Sequence, residues 1–301
     1  MDKANKKIFN AMCCPTCMSI NVQILDQGVV CMNCGVVYPM INQQPLMLVE
    51  DSLIRKWYTS DKNEKTTPLH KFLNKVALFR PEDRLWSFDA RAAIENLLCK
   101  KKPDQAENLV VCIGSGYENV FRKKFSKYKE VCHVGLPHIG TVDIIGDAMQ
   151  LPLQDASVDT MFSSGVFEHI NNPELAMKEA LRVLKPGGMI YADIPFIRGY
   201  HAEPVDYQRY TYSGIETVFA RNGFNLVEKG VCDGPFTAAV LGALDILKII
   251  PTREGSGFFR WAFSWILHPL KYIDVFLWRT KGAKYFACNF YYVGVKPSLT
   301  E

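Results

Sequence analysis

Residues 109–120 read LVVCIGSGYENV, and the reading of this stretch decides the fold. Leu109 to Gly114 form a short, almost wholly apolar run with two β-branched valines and Ile113. A run of that length and composition, stopped by glycine, is a strand buried on both faces. Gly114 and Gly116 let the chain turn sharply and bring its backbone close to a ligand. The stretch from Glu118 onward, ENVFRKKF, opens a helix. Strand, glycine turn and helix in that order place a nucleotide at the carboxyl end of the strand. Glu118 stands where a third glycine would complete the usual fingerprint.

Working outward from that turn, strand-like and helix-like segments alternate. SFDARAAIENLLCKK before it has helical spacing and is followed by Pro103. After it come the strands KEVCHV, VDIIGDA and VDTMFSSG, then the helix PELAMKEALRVL, ended by KPGG. MIYADIPF is a further strand, SGIETVFARNGF a helix, and FNLVEKGV and YFACNFYYVGVK are the last two strands. This alternation predicts an α/β fold: a parallel, doubly wound sheet of seven strands.

GSG at 114–116, GDAMQLPL at 146–153, VDTMFSSGVFEHI and LKPGG each fall at a strand end and in order. Together they resemble class I S-adenosylmethionine-dependent methyltransferases, over residues 90–295. The resemblance implies a Rossmann-like sheet and a cofactor site built from Gly114, Ser115, Gly116, Asp147, Ala148, Met149, Ser164 and Gly165. The glycines would admit the methionine and ribose portions of the cofactor. Asp147 would accept from the adenine amine, Ala148 and Met149 would cover the adenine edge, and Ser164 and Gly165 would floor the site. One departure matters: related enzymes place an acid at the end of the second strand to hold the ribose hydroxyls, and this chain has Gly135 there. Losing those hydrogen bonds costs on the order of a few kcal/mol of affinity. A chain that keeps the fold without the chemistry, acting as a scaffold, is therefore the alternative to an enzyme.

The N-terminal segment carries Cys14-Pro-Thr-Cys17 and Cys31-Met-Asn-Cys34. Two such knuckles close a tetrahedral four-thiolate site, which holds a structural Zn2+ because no coordination position stays open for catalysis. Residues 11–51 are similar to the small zinc-ribbon activator subunit of tRNA and release-factor methyltransferases, through CxxCG, YPMI and the following P-L-L pattern. The predicted organisation is a zinc ribbon at 1–51, a helical linker at 52–89 and a methyltransferase domain at 90–301. The other cysteines are scattered through apolar runs, as small buried hydrophobes are. That usage, with no apolar segment of signal length in MDKANKKIFN, points to a reducing, cytoplasmic setting.

After the fifth strand lies PFIRGYHAEPVDYQRYTYSG, 195–214. His201 and Asp206 are candidate bases for deprotonating a hydroxyl. Arg209 is a candidate for a phosphate or carboxylate, and Tyr200, Tyr207 and Tyr210 offer stacking faces for sugar rings. The alternative is a loop stapled by its own bonds, with Arg209 paired to Asp206. Glu168 and His169 form a second acid–base pair, read as shaping the turn after strand four. The run YH-x-x-P-x-D-Y-x-R-Y-T resembles methyltransferases of bacterial cell-surface polysaccharide pathways, which implies a glycan acceptor, lipid-linked or free.

Residues 235–284 form a helical insertion before the last strand, with seven Lys or Arg against three acids. Arg260, Ser264, His268, Lys271 and Asp274 make one polar stripe on an otherwise apolar, aromatic helix kinked at Pro269. Such a helix lies in a membrane interface, here on the cytoplasmic face, or packs in a dimer or lid. A second alternative is an RNA methyltransferase that grips RNA with its ribbon; nucleic acid is disfavoured as a partner, since residues 11–51 contain no Lys or Arg to meet phosphates.

Overall fold

The computed structural model describes residues 3–52, 55, 85–99, 108–114, 131–136, 142–202, 205–247, 249 and 256–298. The helix expected at 118–125 and nearly all of the 52–89 linker lie outside the described residues, as do Ser115 and Gly116.

The strands are β1 (Val22–Leu25), β2 (Gly28–Cys31), β3 (Val37–Ile41), β4 (Gln44–Met47), β5 (Val110–Ile113), β6 (Val131–Gly135), β7 (Ile144–Gly146), β8 (Val158–Ser164), β9 (Leu184–Pro195), β10 (Asn225–Asp233) and β11 (Asn289–Val295). Their order is β1-β2-β3-β4-β7-β6-β5-β8-β9-β11-β10. β5 to β9 run parallel, and β11 inserts antiparallel between β9 and β10. The sheet therefore has eleven strands, not the seven expected. The additional four come from the ribbon. Its last strand, β4, pairs parallel with β7 through Leu46–Ile145 and Met47–Gly146. An apolar QPLM strand laid on the edge of β7 satisfies backbone groups that an open edge would leave unpaired. LKPGG also differs from expectation: Leu184 to Gly188 already belong to β9, and the register with β8 shifts between Val158 and Thr160.

The helices are α1 (Lys3–Asn10), α2 (Phe88–Cys99), α3 (Pro173–Val183), α4 (Tyr212–Arg221), α5 (Pro235–Ile246), α6 (Ser256–Leu267) and α7 (Asp274–Leu277). Asn172 caps α3 by accepting from Leu175 N at 3.1 Å, with Pro173 in the first turn, where its missing N–H costs nothing. Ala176, Met177, Ala180 and Val183 give α3 its buried stripe. Ile8 of α1, Met12, Val29, Tyr38 and Met47 share one continuous core with Leu151, Leu153, Met161 and Ile190, so ribbon and sheet bury a common apolar interior.

The insertion is helical, but not one kinked helix. α6 gives way at Pro269 to a 3-10 turn, His268–Ile273, and then to α7. Ser264, Lys271 and Asp274 of the polar stripe are buried, while Trp265, Ile266, Tyr272 and Phe276 face outward.

Candidate functional site

The carboxyl ends of β5, β6, β7, β8 and β9 converge where the cofactor residues were expected. Gly114 has φ +86°, a left-handed conformation that favours glycine, and a Cβ there would fall 2.4 Å from Val166 Cγ2. Gly135 packs on the same turn, since its Cβ would meet Gly114 Cα, N and C at 3.1–3.3 Å. This close approach is the structural counterpart of the missing acid: the backbone of one strand end occupies the space into which a side chain of the other would grow. Ser164 is buried, and Gly165 (φ +63°) donates its N–H to Asp193 O at 3.0 Å.

Asp147 is buried after β7. Its Oδ1 accepts from Met149 N at 2.8 Å and its Oδ2 from the Ser52 hydroxyl at 3.2 Å. Burial raises its pKa above the ordinary carboxyl value. Ala148 and Met149 pack half-buried against the core. Ser52 was not singled out in the sequence, and no local signal marks it, because its contact spans 95 positions. The same loop is tied to the ribbon: Gln150 Nε2 donates to Pro15 O at 2.5 Å, and Cys13 N donates to Pro152 O at 3.1 Å.

The four ribbon cysteines come together as their spacing predicts. All four sulfurs lie within 4.8 Å of one another, with Cys14–Cys34 at 3.7 Å and Cys17–Cys31 at 3.6 Å. A tetrahedron with Zn–S bonds of about 2.3 Å has edges of about 3.8 Å, so the donor set fits zinc. The Ser19 amide, and then the Asn33 side chain, lower the Cys17 pKa to about 6, favouring the thiolate that a metal binds. The buried Tyr38 hydroxyl lies 3.2 Å from Cys14 Sγ and 2.7 Å from Thr16 Oγ1, bracing the first knuckle from behind.

The loop after β9 folds back onto the turn Phe167–His169, which follows β8. Gln208 Nε2 donates to Phe167 O and Ile170 O at 2.8 and 3.0 Å, and Tyr207 N donates to Glu168 O at 2.8 Å. Asp206 is held by Arg209: Nη2 donates to Oδ2 at 2.5 Å and Nη1 pairs with Oδ1. Asp206 Oδ2 also accepts from His201 N at 2.9 Å. Although burial opposes it, the Arg209 guanidinium holds the Asp206 carboxyl below its usual range. Arg209 further donates to Gly199 O and Gln208 O, so this pair staples the loop. Tyr200 and Tyr207 are exposed, while Tyr210 packs half-buried against the core, where burial pushes its hydroxyl up to about 12.

His201 stands over Glu168, with Nε2 3.7 Å from Oε1, and His169 Nε2 lies 3.9 Å from the same oxygen. Burial works against a charged His201, but Glu168 and the Gly199 carbonyl raise its pKa above the ordinary value. The sequence reading gave Glu168 only a role in shaping the turn. Its side chain is in fact the meeting point of two histidines brought from different loops.

Comparison with known proteins finds methyltransferases. A family profile described as "Methyltransferase domain" matches residues 113–192. A malonyl-[acyl-carrier protein] O-methyltransferase of Methylococcus capsulatus is 45% identical over 47 residues, covering 16% of this chain and 17% of the relative. A ubiquinone/menaquinone biosynthesis C-methyltransferase of Ruegeria sp. is 27% identical over 86 residues, covering 29% and 30%. The chain thus spans less than a third of the length of these curated relatives. Among solved structures, a complex between a Haloferax volcanii methyltransferase activator and a methyltransferase aligns at 20% identity with a TM-score of 0.43, covering 71% of this chain and 98% of that one. Phosphoethanolamine N-methyltransferase 2 of Haemonchus contortus aligns at 16% identity and 0.46, covering 70% and 52%. Residues 113–192 of this chain are thus similar to methyltransferase domains.

Proposed function

We propose that the chain transfers a methyl group from S-adenosylmethionine to a hydroxyl oxygen of a glycan, lipid-linked and presented at a membrane surface, with a structural zinc in the ribbon. The observation that carries the reading is the buried Glu168 beside His201, next to the glycine turn that Val166 touches. When bound, the cofactor supplies an electrophilic methyl: the acceptor oxygen gains the C–O bond as the S–C bond breaks, its electrons passing to sulfur.

The chain's own residues align the partners and take up the acceptor's proton. His201 Nε2 is the proton acceptor, with Glu168 stabilising the imidazolium that forms. Asp206 and Arg209 position His201, rather than exchange protons themselves, because each is already satisfied by the other. Tyr200 and Tyr207 offer open rings to a sugar face. Gly114, Asp147, Ala148, Met149, Ser164 and Gly165 hold the cofactor, joined by Ser115 and Gly116.

The outward aromatic residues of 265–286 support a membrane-surface acceptor. Phe276 is 82% exposed and Tyr285 76%, beside the exposed Lys281 and Lys284. Aromatic rings interleaved with lysines suit an anionic lipid interface. No helix among the described residues is long and apolar enough to cross a membrane.

Calorimetric titration of the zinc-loaded protein with S-adenosylmethionine and S-adenosylhomocysteine tests the core of the reading. Saturable binding in the micromolar range is the expected result. A folded protein that binds neither would leave a scaffold instead of an enzyme. Production of S-adenosylhomocysteine that depends on added lipid-linked glycan then tests the acceptor.

A further inference from the structure

Each of the two histidines over Glu168 is already oriented by a backbone carbonyl. His169 Nδ1 lies 2.7 Å from Val205 O and His201 Nδ1 lies 3.0 Å from Gly199 O. A ring nitrogen facing a carbonyl oxygen carries the proton, so in the neutral ring the lone pair sits on Nε2. Both Nε2 atoms then face one oxygen, Glu168 Oε1, at 3.9 and 3.7 Å. These gaps are too long for hydrogen bonds. They are slightly under twice the roughly 2.1 Å bond between a divalent ion and imidazole nitrogen or carboxylate oxygen.

Glu168 is 2% exposed, and its Oε2 is buried with no hydrogen-bond partner among the described residues. With only the two imidazoles near its other oxygen among the described residues, this buried carboxylate is costly unless an imidazolium or a metal cation meets it. Arg209 lies 3.4 Å from His201 Nδ1, on the far side of the ring, and is already neutralised by Asp206. Carbonyl–histidine pairs around a shared carboxylate are how proteins fix metal-binding imidazoles.

We propose that Glu168, His169 and His201 bind one divalent first-row transition-metal ion, separate from the four cysteines. Two imidazoles and one carboxylate suit Mn2+, Fe2+, Co2+ or Zn2+ over Mg2+ and Ca2+, which take oxygen ligands. The histidines are partly open, with side chains 12% and 22% exposed, which leaves an entry path. Three protein ligands leave positions for an oxygen ligand, and the acceptor's hydroxyls are the class that fits. This deepens the proposed O-methylation and rests on it. A hydroxyl bound to the ion would ionise nearer neutrality, its proton leaving to water. His201 would then be a ligand; its role as proton acceptor belongs to the metal-free site, so the O-methylation is kept and the base is replaced.

The test is titration with Mn2+ of full-length protein carrying one zinc per chain, the amount the four cysteines take, counting bound ion by electron paramagnetic resonance and reading nitrogen hyperfine couplings from its ligands. Mn2+ discriminates between the sites because thiolates favour softer ions. One Mn2+ per chain with imidazole coupling is expected. Glu168→Gln and His201→Ala should each weaken binding by about tenfold or more, while Glu216→Gln, a carboxylate paired with Lys229, leaves it unchanged. Wild-type protein that binds no Mn2+, or binds it without nitrogen coupling, overturns the proposal whatever the variants do. Unchanged affinity in both site variants overturns it too. If Mn2+ does not bind yet methyl transfer keeps a His201-dependent pH profile, the metal site falls and the base reading stands. If Mn2+ binds as expected but no glycan is methylated, the acceptor reading falls alone.

Discussion

Gln150 Nε2 donates to the carbonyl of Pro15 at 2.5 Å, hooking the loop that carries Asp147 onto the knuckle between Cys14 and Cys17. Gln154 adds bonds to the carbonyls of Asn10, Ala11 and Met12 along the same seam. Metal in the ribbon should therefore govern the order of the cofactor loop. Chelation is expected to lower the Tm and weaken S-adenosylmethionine binding together. Gln150→Ala should weaken cofactor binding while costing only about 1 kcal/mol of stability. Calorimetry and thermal melts on the same samples check this. Cofactor affinity that survives zinc removal would show that the ribbon is only a neighbour.

Restoring an acid at the end of β6 should not rescue a conventional ribose contact. A Cβ at position 135 would crowd three backbone atoms of Gly114, so Gly135→Asp pushes on the cofactor turn itself. Overpacking of this kind costs about 1–3 kcal/mol. The expected result is a lower urea midpoint and cofactor affinity no tighter than wild type. Tighter binding at unchanged stability would mean that the turn has room to shift.

Under the proposed adenine contact, Asp147 should give cofactor binding a pH dependence. Its folded pKa is raised by burial, so it takes up a proton as pH falls while an ordinary Asp is still ionised. A protonated carboxyl is a poorer acceptor for the adenine amine. The same raised pKa means that ionising Asp147 costs folding stability: the stabilising protonated form is present below the usual carboxyl pKa and lost as pH rises through the folded value. S-adenosylmethionine affinity is thus expected to fall on acidification, beginning above the usual carboxyl pKa. In Asp147→Asn affinity should be weaker and the slope flat. A wild-type profile that stays level down to the usual carboxyl range would remove Asp147 from the adenine contact.

The insertion is stapled by a side chain that does the work of a helix cap. Gly234 precedes α5 and has no side chain to offer. Asp274 fills that role: Oδ1 accepts from Phe236 N at 2.8 Å, and Oδ2 from Thr237 N and Oγ1 at 2.8 and 2.7 Å. A Cβ on residue 234 would meet the Asp274 carboxylate at 2.4–2.8 Å, which accounts for the glycine. Asp274→Ala should destabilise the fold by about 2–3 kcal/mol, from a lost cap and orphaned donors. Asp274→Asn should cost less. Urea unfolding of both variants measures the difference.

The seven strands β5 to β11 were legible because most are short apolar runs ending in glycine, proline or a turn. The metal knuckles were legible because CxxC spacing brings thiolates together locally. β4 was not: QPLM is only four residues long, and although it turns back on β3 through Met40–Pro45 and Ile41–Gln44, its pairing with β7, which joins ribbon to sheet, lies roughly a hundred positions away. The surroundings of Glu168 were illegible for a similar reason: its neighbours in sequence suggest a turn, which is where it lies, whereas His201 is brought beside it by the loop after β9. The polar stripe of 260–274 was visible as a pattern, but its direction was not. Periodicity says that one helix face differs from the other, and only the partner decides which is turned inward. Asp274 and its three donors on α5 decide it here.

That inward turn leaves Trp265, Ile266, Tyr272, Phe276, Tyr285 and Phe286 on the surface, from about half to four fifths exposed. Burying a large aromatic in a lipid interface is worth about 1.5–3 kcal/mol if its apolar area leaves water completely. Two of the most exposed, Phe276 and Tyr285, should thus dominate attachment. Full-length protein is expected to sediment with anionic phosphatidylglycerol vesicles and less with neutral ones, because Lys281 and Lys284 flank the rings. Phe276→Glu with Tyr285→Glu should reduce vesicle binding at least about tenfold, taking the loss of both burial contributions together. Cofactor affinity should not change, since neither residue belongs to the site. Vesicle binding that persists in the double variant, or that ignores lipid charge, would count against this face as the membrane contact. A wild-type dimer that dissociates in the same variant would identify the face as a subunit interface.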